Sequence, residues 1–141
     1  MINWEHRVTP SKITTLEPNQ IFGFGSNRGG RHGAGAAKQA MKWGAIMNRI
    51  EGIQGQTYAI PTKNAAITQT LPLAEIQKYV NKYIAFAKEN PELVFLTTEI
   101  GCGLAGCQPS EIAPMFIEAV EVDNIHLPQR FWNCLLPMLE K

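Results

Sequence analysis

Apolar positions along the chain follow two rhythms. Short, nearly unbroken apolar runs occur at IFGFG (21–25), TYAIP (57–61), ELVFLTTEI (92–100) and NIHLP (124–128). Runs of that length suit strands buried on both faces. TYAIP is expected to stop at Pro61. Between the runs the spacing changes to three and four. Leu73, Ile76, Val80, Ile84 and Ala87 mark an amphipathic helix that ends at Asn90-Pro91. Ala36, Ala37, Ala40, Met41, Ile46 and Met47 predict a helix from Gly33 to about Arg49, with small residues at its start for close packing on a sheet. PSEIAPMFIEAV begins like a helix, with Pro109 and Ser110 near its N-terminus. Its Pro114 must fall in the first turn or distort the helix. QRFWNCLLPML reads as a short closing helix or a loop, and Pro18-Asn19 as a turn after the lead-in KITTLEPNQ. Strand, helix, strand, helix, strand, helix, strand predicts an α/β sandwich with a largely parallel sheet, formed as one domain over 1–141.

Composition narrows the partners. The chain is 45% hydrophobic and 18% charged, enough to bury roughly two-thirds of its unfolded surface. A formal net charge of +1 gives no general attraction to nucleic acid or anionic lipid, so any anion binding is expected to be local. Three cysteines, Cys102, Cys107 and Cys134, cannot all pair within one chain. The start MINWEHRVTP lacks a signal peptide's apolar stretch, and a reducing cytoplasm is the expected location. No window approaches the ~20 apolar residues of a membrane span, so no membrane partner is expected.

Six of the twelve glycines lie between Gly23 and Gly35. Backbone N–H groups in such a loop, just before a helix, can surround a phosphate that side chains would otherwise keep away. The common fingerprints do not fit. Gly30 to Gly35 nearly meets the P-loop pattern, but Ala36 and Ala37 stand where Lys and Ser or Thr are needed. Gly23-Phe24-Gly25 runs into Ser26, Asn27 and Arg28 without the third glycine of a dinucleotide site. The same glycines would also serve tight turns and close helix packing.

A second loop sharpens the picture. GCGLAG (101–106) follows the ELVFLTTEI strand as SNRGGRHGAG follows IFGFG, so both sit beyond strand carboxyl ends, where open α/β sheets bind ligands. Cys102 and Cys107 lack the second Cys/His pair of a zinc site, so no metal is implied. Cys102 is either a buried filler or a thiol with His6, His32 or His126 as partner. His32 alone of the histidines lies within a candidate loop; it either touches phosphate or ribose or shapes the loop. Lys63, just past TYAIPT, either faces solvent, neutralises phosphate, or attacks a sugar C1 to give a Schiff base.

Three segments in this order resemble macrodomains, the ADP-ribose-binding α/β modules, and within them the branch of the terminal ADP-ribose protein glycohydrolase. HGAGAAKQAMKWGA is similar to that branch's glycine-alanine-glycine helix start, YAIPTKN to its strand ending in Thr-Lys, and TEIGCGLAGCQPSEIAPMF to its Ile-Gly-Cys-Gly-Leu loop and following helix. The resemblance implies a three-layer α/β/α sandwich with a mixed, largely parallel sheet and no cofactor. It implies ligand contacts from Gly25, Ser26, Asn27, His32, Gly33, Ala34 and Gly35 on one side and Gly101, Cys102, Gly103, Leu104, Ala105 and Gly106 on the other. Lys63 matches the family lysine that forms a covalent adduct with ADP-ribose C1. Ala105 stands where the family has the aspartate that resolves this adduct, a step worth ~10² to 10⁴ in rate. Glu99, just before the loop, is the alternative carboxylate, unless it pairs with a base.

Two functions are therefore expected: recognition of ADP-ribose, free or on a protein or nucleic acid, or glycohydrolysis through Lys63 with or without Glu99. A Rossmann-like binder of another phosphorylated nucleoside is the third.

Overall fold

The computed structural model describes residues 2–103 and 105–140. Along them run β1 (Val8–Thr9), β2 (Gln20–Asn27), α1 (Gly35–Ala40), β3 (Gly52–Gln54), β4 (Thr57–Lys63), α2 (Leu73–Glu89), β5 (Val94–Thr97), α3 (Pro109–Ile112), β6 (Ile125–Pro128) and α4 (Gln129–Leu139). The strands form one sheet in the order β1-β6-β5-β2-β4-β3. All neighbours pair in parallel except β3 with β4. This is the α/β sandwich that the alternating runs predict.

The apolar runs work because side chains alternate across the sheet. Phe22, Phe24, Ala59 and Leu96 point to one side, where Ala37 and Ala40 of α1 cover them. Ile21, Tyr58, Ile60, Phe95, Ile125 and Leu127 point to the other, into the larger core with α2, residues 112–122 and α4. Tyr83 of α2 is fully buried there, and its hydroxyl bonds Thr97 at 2.7 Å. A Cβ on Gly23 would lie 2.5 Å from that hydroxyl, so Gly23 lets α2 approach the sheet.

Four expectations change in detail. The helix expected over 33–49 is only six residues of α1 plus a 3-10 turn at Met41–Trp43. Gly44 ends it with φ of 113°, a conformation glycine adopts freely. There a Cβ would meet the Gly55 Cα at 2.9 Å, while Trp43 packs on Phe22 at 5.0 Å. Pro61 does not end its strand, because β4 runs on to Lys63. The pairing with β3 stops at Ala59, so Pro61 lies where one neighbour remains and a missing N–H is tolerated. The segment after α3 is a 3-10 helix, Ala113–Glu121, with Pro114 in its first turn and a kink at Phe116. The short strands β1 and β3 add two edges to the four strands expected.

The polar opening of the chain hides a core residue. Arg7 is 1% exposed and its guanidinium donates to the carbonyls of Ala119, Val120, Val122 and Ile125 at 2.8–3.1 Å. They lie where the 3-10 helix ends and β6 begins. Those of Ala119 and Val122 also accept the N–H groups of Val122 and Ile125, so the guanidinium adds second bonds there and ties the turn to the first strand. Trp132 Nε1 in turn donates to the Arg7 carbonyl at 2.9 Å.

Candidate functional site

β2 lies between β4 and β5, so its carboxyl end carries the first glycine loop between the ends of its two neighbours. The second loop comes to it directly. A Cβ placed on Gly25 would lie 3.4 Å from Thr62 Oγ1, 3.5 Å from the Gly101 nitrogen and 3.6 Å from the Ile100 Cα. Gly101, at φ of 73°, fits over Ile112. Thr62 is the buried post between the loops: its hydroxyl donates to the Ser26 carbonyl at 3.3 Å. A register shift between β2 and β4 pairs Ser26 with Pro61 and Asn27 with Lys63, bulging β4 at Thr62. Lys63 thus stands beside Asn27 at the loop edge, and its carbonyl accepts from the Arg28 N–H at 3.0 Å.

Much of the first loop serves its own shape. Asn27 is buried; its Oδ1 accepts from the N–H groups of Gly29 and Arg31, and its Nδ2 donates to the Arg31 carbonyl. That is a side-chain staple of the kind Asn favours in turns. Ser26 Oγ donates to the Ile50 carbonyl at 2.7 Å. His32 is 1% exposed and its Nε2 donates to the Ile46 carbonyl at 3.0 Å, while its Nδ1 has no partner among the described residues. Gly30 presses on Asn48, where a Cβ would come within 2.4 Å of the Cα.

The open part lies at the end of the loop, where Gly33, Ala34 and Gly35 are exposed. Among the described residues nothing lies within 4 Å of where a Cβ would stand on Gly33 or Gly35. Among the described residues no partner is found for the N–H groups of Gly33 and Ala34, and those of the first turn of α1 have none by the nature of a helix start. At six residues α1 adds little dipole, so the donors themselves carry any attraction for an anion.

The second loop is a small closed ring. The Cys107 N–H donates to the Gly101 carbonyl at 2.8 Å and the Gly106 N–H to the Gly103 carbonyl at 3.0 Å. Thr70 Oγ1 donates to the Ala105 carbonyl, tying the ring to the segment between β4 and α2. Gly103 and Gly106 have nothing within 4 Å of a Cβ position, and Leu104 lies outside the described residues. Burial, with Glu99 and Cys107 close by, pushes the Cys102 thiol up to about 11. Burial first, then Glu111, raises Cys107. A thiol so poised is mostly protonated at neutral pH and a poor nucleophile.

Glu99 is taken up by an ion pair. Arg130 of α4 holds it through two bonds, Nε to Oε2 at 2.7 Å and an Nη to Oε1 at 2.6 Å. The hydrogen bonds from Arg130 hold the Glu99 carboxyl below its usual range. It is therefore an ionised, bidentate acceptor, the opposite of a carboxyl raised to serve as an acid.

Sequence reasoning did not single out Thr62, Gln54 or Arg130. Gln54 is 2% exposed; its Oε1 accepts the Ile46 N–H at 2.7 Å and its Nε2 donates to the Arg49 carbonyl at 3.3 Å, fixing the turn behind the first loop. Thr62 was readable as the residue before Lys63; Arg130 lies 31 positions from Glu99 and left no local signal.

Two concavities lie elsewhere. One of about 340 Å³, lined by Lys12, Ile13, Gln20, Leu96 and His126, sits by the opposite end of β2. The other, about 570 Å³, runs along Lys88, Ile117, Glu118 and Val122. Among the described residues no group of three or more His, Cys, Asp or Glu is placed to hold a metal ion. Among them, too, no helix is long and apolar enough to cross a membrane.

No family model matches the sequence, and no curated protein matches it. A solved structure of a protein of unknown function from Bacteroides thetaiotaomicron is similar, with a TM-score of 0.55 and 12% identity over 77% of this chain and 86% of that one. At that identity the likeness speaks to the fold alone.

Proposed function

We propose that the chain is a recognition module for an ADP-ribose-type nucleotide, free or attached to a protein or nucleic acid, held between the two glycine-rich loops. The observation that carries this reading is the close approach of the second loop to Gly25, where a Cβ would lie 3.5 Å from the Gly101 nitrogen. On this reading the exposed donors at Gly33 to Gly35 and the glycines of the second loop, Gly103 and Gly106, together frame a diphosphate beyond the strand ends. The resemblance to macrodomains supplies the identity of the ligand, and three free cysteines suit a reducing, cytoplasmic setting.

Calorimetry with ADP-ribose, AMP, NAD and cyclic nucleotides tests it. ADP-ribose is expected to bind most tightly; another nucleotide in first place would favour the broader Rossmann-like reading, and no heat with any of them overturns the nucleotide site.

Glycohydrolysis is the second reading, favoured by the position of Lys63 at the loop edge beside Asn27. Against efficient turnover stand Ala105, which has no carboxylate, and Glu99, which is bound to Arg130. Lys63→Ala is expected to abolish whatever slow release of ADP-ribose from modified protein or DNA the chain performs. Release at an unchanged rate removes Lys63 from the chemistry.

A further inference from the structure

Charge is distributed unevenly along the chain. Between Glu17 and Glu51 there is no acidic residue, and the stretch holds Arg28, Arg31, Lys38, Lys42 and Arg49; everywhere else eight cations face twelve acids. Arg28 is paired with Glu75 at 3.1 Å. The other four are exposed, and among the described residues none of them lies within ion-pair distance of an acid. Large apolar side chains surface in the same place: Met41, Ile46 and Met47 are 43%, 46% and 45% exposed. Cations interleaved with exposed apolar groups mark an interaction face rather than a merely solvated one.

This face is the outer wall of the first glycine loop. The Ile46 carbonyl and the Met47 sulfur hold His32, and the Asn48 N–H donates to the Gly30 carbonyl at 2.8 Å. We propose that α1 and the turn over 41–49 dock an acidic protein segment that carries apolar side chains, the segment to which the nucleotide is attached. Charge complementarity selects an acidic partner, and the exposed Met and Ile side chains select one with apolar groups to bury. A nucleic acid strand fits less well, because it is gripped by stacking on open aromatic rings. The ring at hand, Trp43, is packed against Phe22 at 5.0 Å and lies under the Lys42 ammonium at 5.3 Å.

The inference rests on the recognition reading for its purpose, and the docking is tested without nucleotide. Fluorescence anisotropy of a short labelled peptide of interspersed glutamate and leucine is compared with a single-stranded oligonucleotide of equal charge and with anionic phospholipid vesicles. The peptide is expected to bind, more weakly as salt rises. Lys38→Glu/Lys42→Glu is expected to weaken it roughly tenfold or more, with Lys38→Gln/Lys42→Gln in between and Met41→Gln weakening it less. The heat of ADP-ribose binding should stay unchanged in Met41→Gln, which alters no charge. Peptide binding without any ADP-ribose heat supports the docking face while the nucleotide reading fails. No peptide binding, binding unaffected by charge reversal, or tighter binding of the oligonucleotide or the vesicles overturns the docking proposal.

Discussion

Gly33 and Gly35 separate backbone conformation from space. Both leave room for a Cβ, yet only Gly35 has a left-handed φ, 59°. Gly33→Ala is expected to stay within about 0.5 kcal/mol of the parent in chemical denaturation, and Gly35→Ala to cost about 1 kcal/mol. Gly30→Ala, with φ of 67° and backbone 2.4 Å away, should cost about 3 kcal/mol. If the cleft is the nucleotide site, Gly33→Ala loses ADP-ribose affinity without losing stability, which calorimetry on the folded variant reads directly. Gly52, also open but at φ of 88°, would be strained by a side chain in the same way as Gly35. At this scale the glycine loops were legible because backbone freedom leaves a compositional trace. The commitment of Asn27 and His32 to their own loop was not, since the same side chains serve a ligand equally well.

Elements are held by contacts that the chain's periodicity does not encode. The strand runs and α2 were readable because burial imposes a regular apolar pattern. The early end of α1 was not, since it depends on Gly44 meeting Gly55, eleven residues on. Arg7 likewise looks like a surface residue in MINWEHRVTP. Arg7→Ala is expected to lower stability by about 3 kcal/mol, by removing five buried hydrogen bonds to the carbonyls of Ala119, Val120, Val122 and Ile125. Arg7→Lys should recover only part, because an ammonium cannot present the same planar fork; urea midpoints of the three proteins check both. The Glu99–Arg130 pair fastens α4 to the second loop and makes a separate prediction. Folding depresses the Glu99 pKa, so its stabilising effect is present above the ordinary carboxylate value of 4.5 and fades as pH falls through the lower folded value. Glu99→Gln should therefore flatten the acid limb of the stability profile while changing little at neutral pH, where the exposed pair contributes modestly.

For the molecule as a whole, binding and folding are linked. A ligand held only by the folded chain adds about 2.7 kcal/mol at a hundred times its Kd. For a domain of this size that is a rise of roughly 5–10 °C in Tm. ADP-ribose is expected to produce it in a thermal melt, and Gly33→Ala to reduce it in step with its lost affinity. An unshifted melt at a concentration shown by calorimetry to saturate would mean that the unfolded chain binds as well. The sheet order that brings the loops together was only partly legible: chain alternation implies parallel strands, but not that β2 would lie between β4 and β5.

The bond between Arg7 and the carbonyl of Ile125 spans 118 positions, and β1 is an edge strand that pairs with β6. On the ribosome, then, β2, β4 and β5 can assemble while the first strand still waits for its neighbour to emerge. Such distant pairing is slow to form and leaves β5 with an open edge in the meantime. A nascent chain halted before residue 119 should carry a protected β2 and an opening segment that proteases cut readily, and release of the remaining residues should close it.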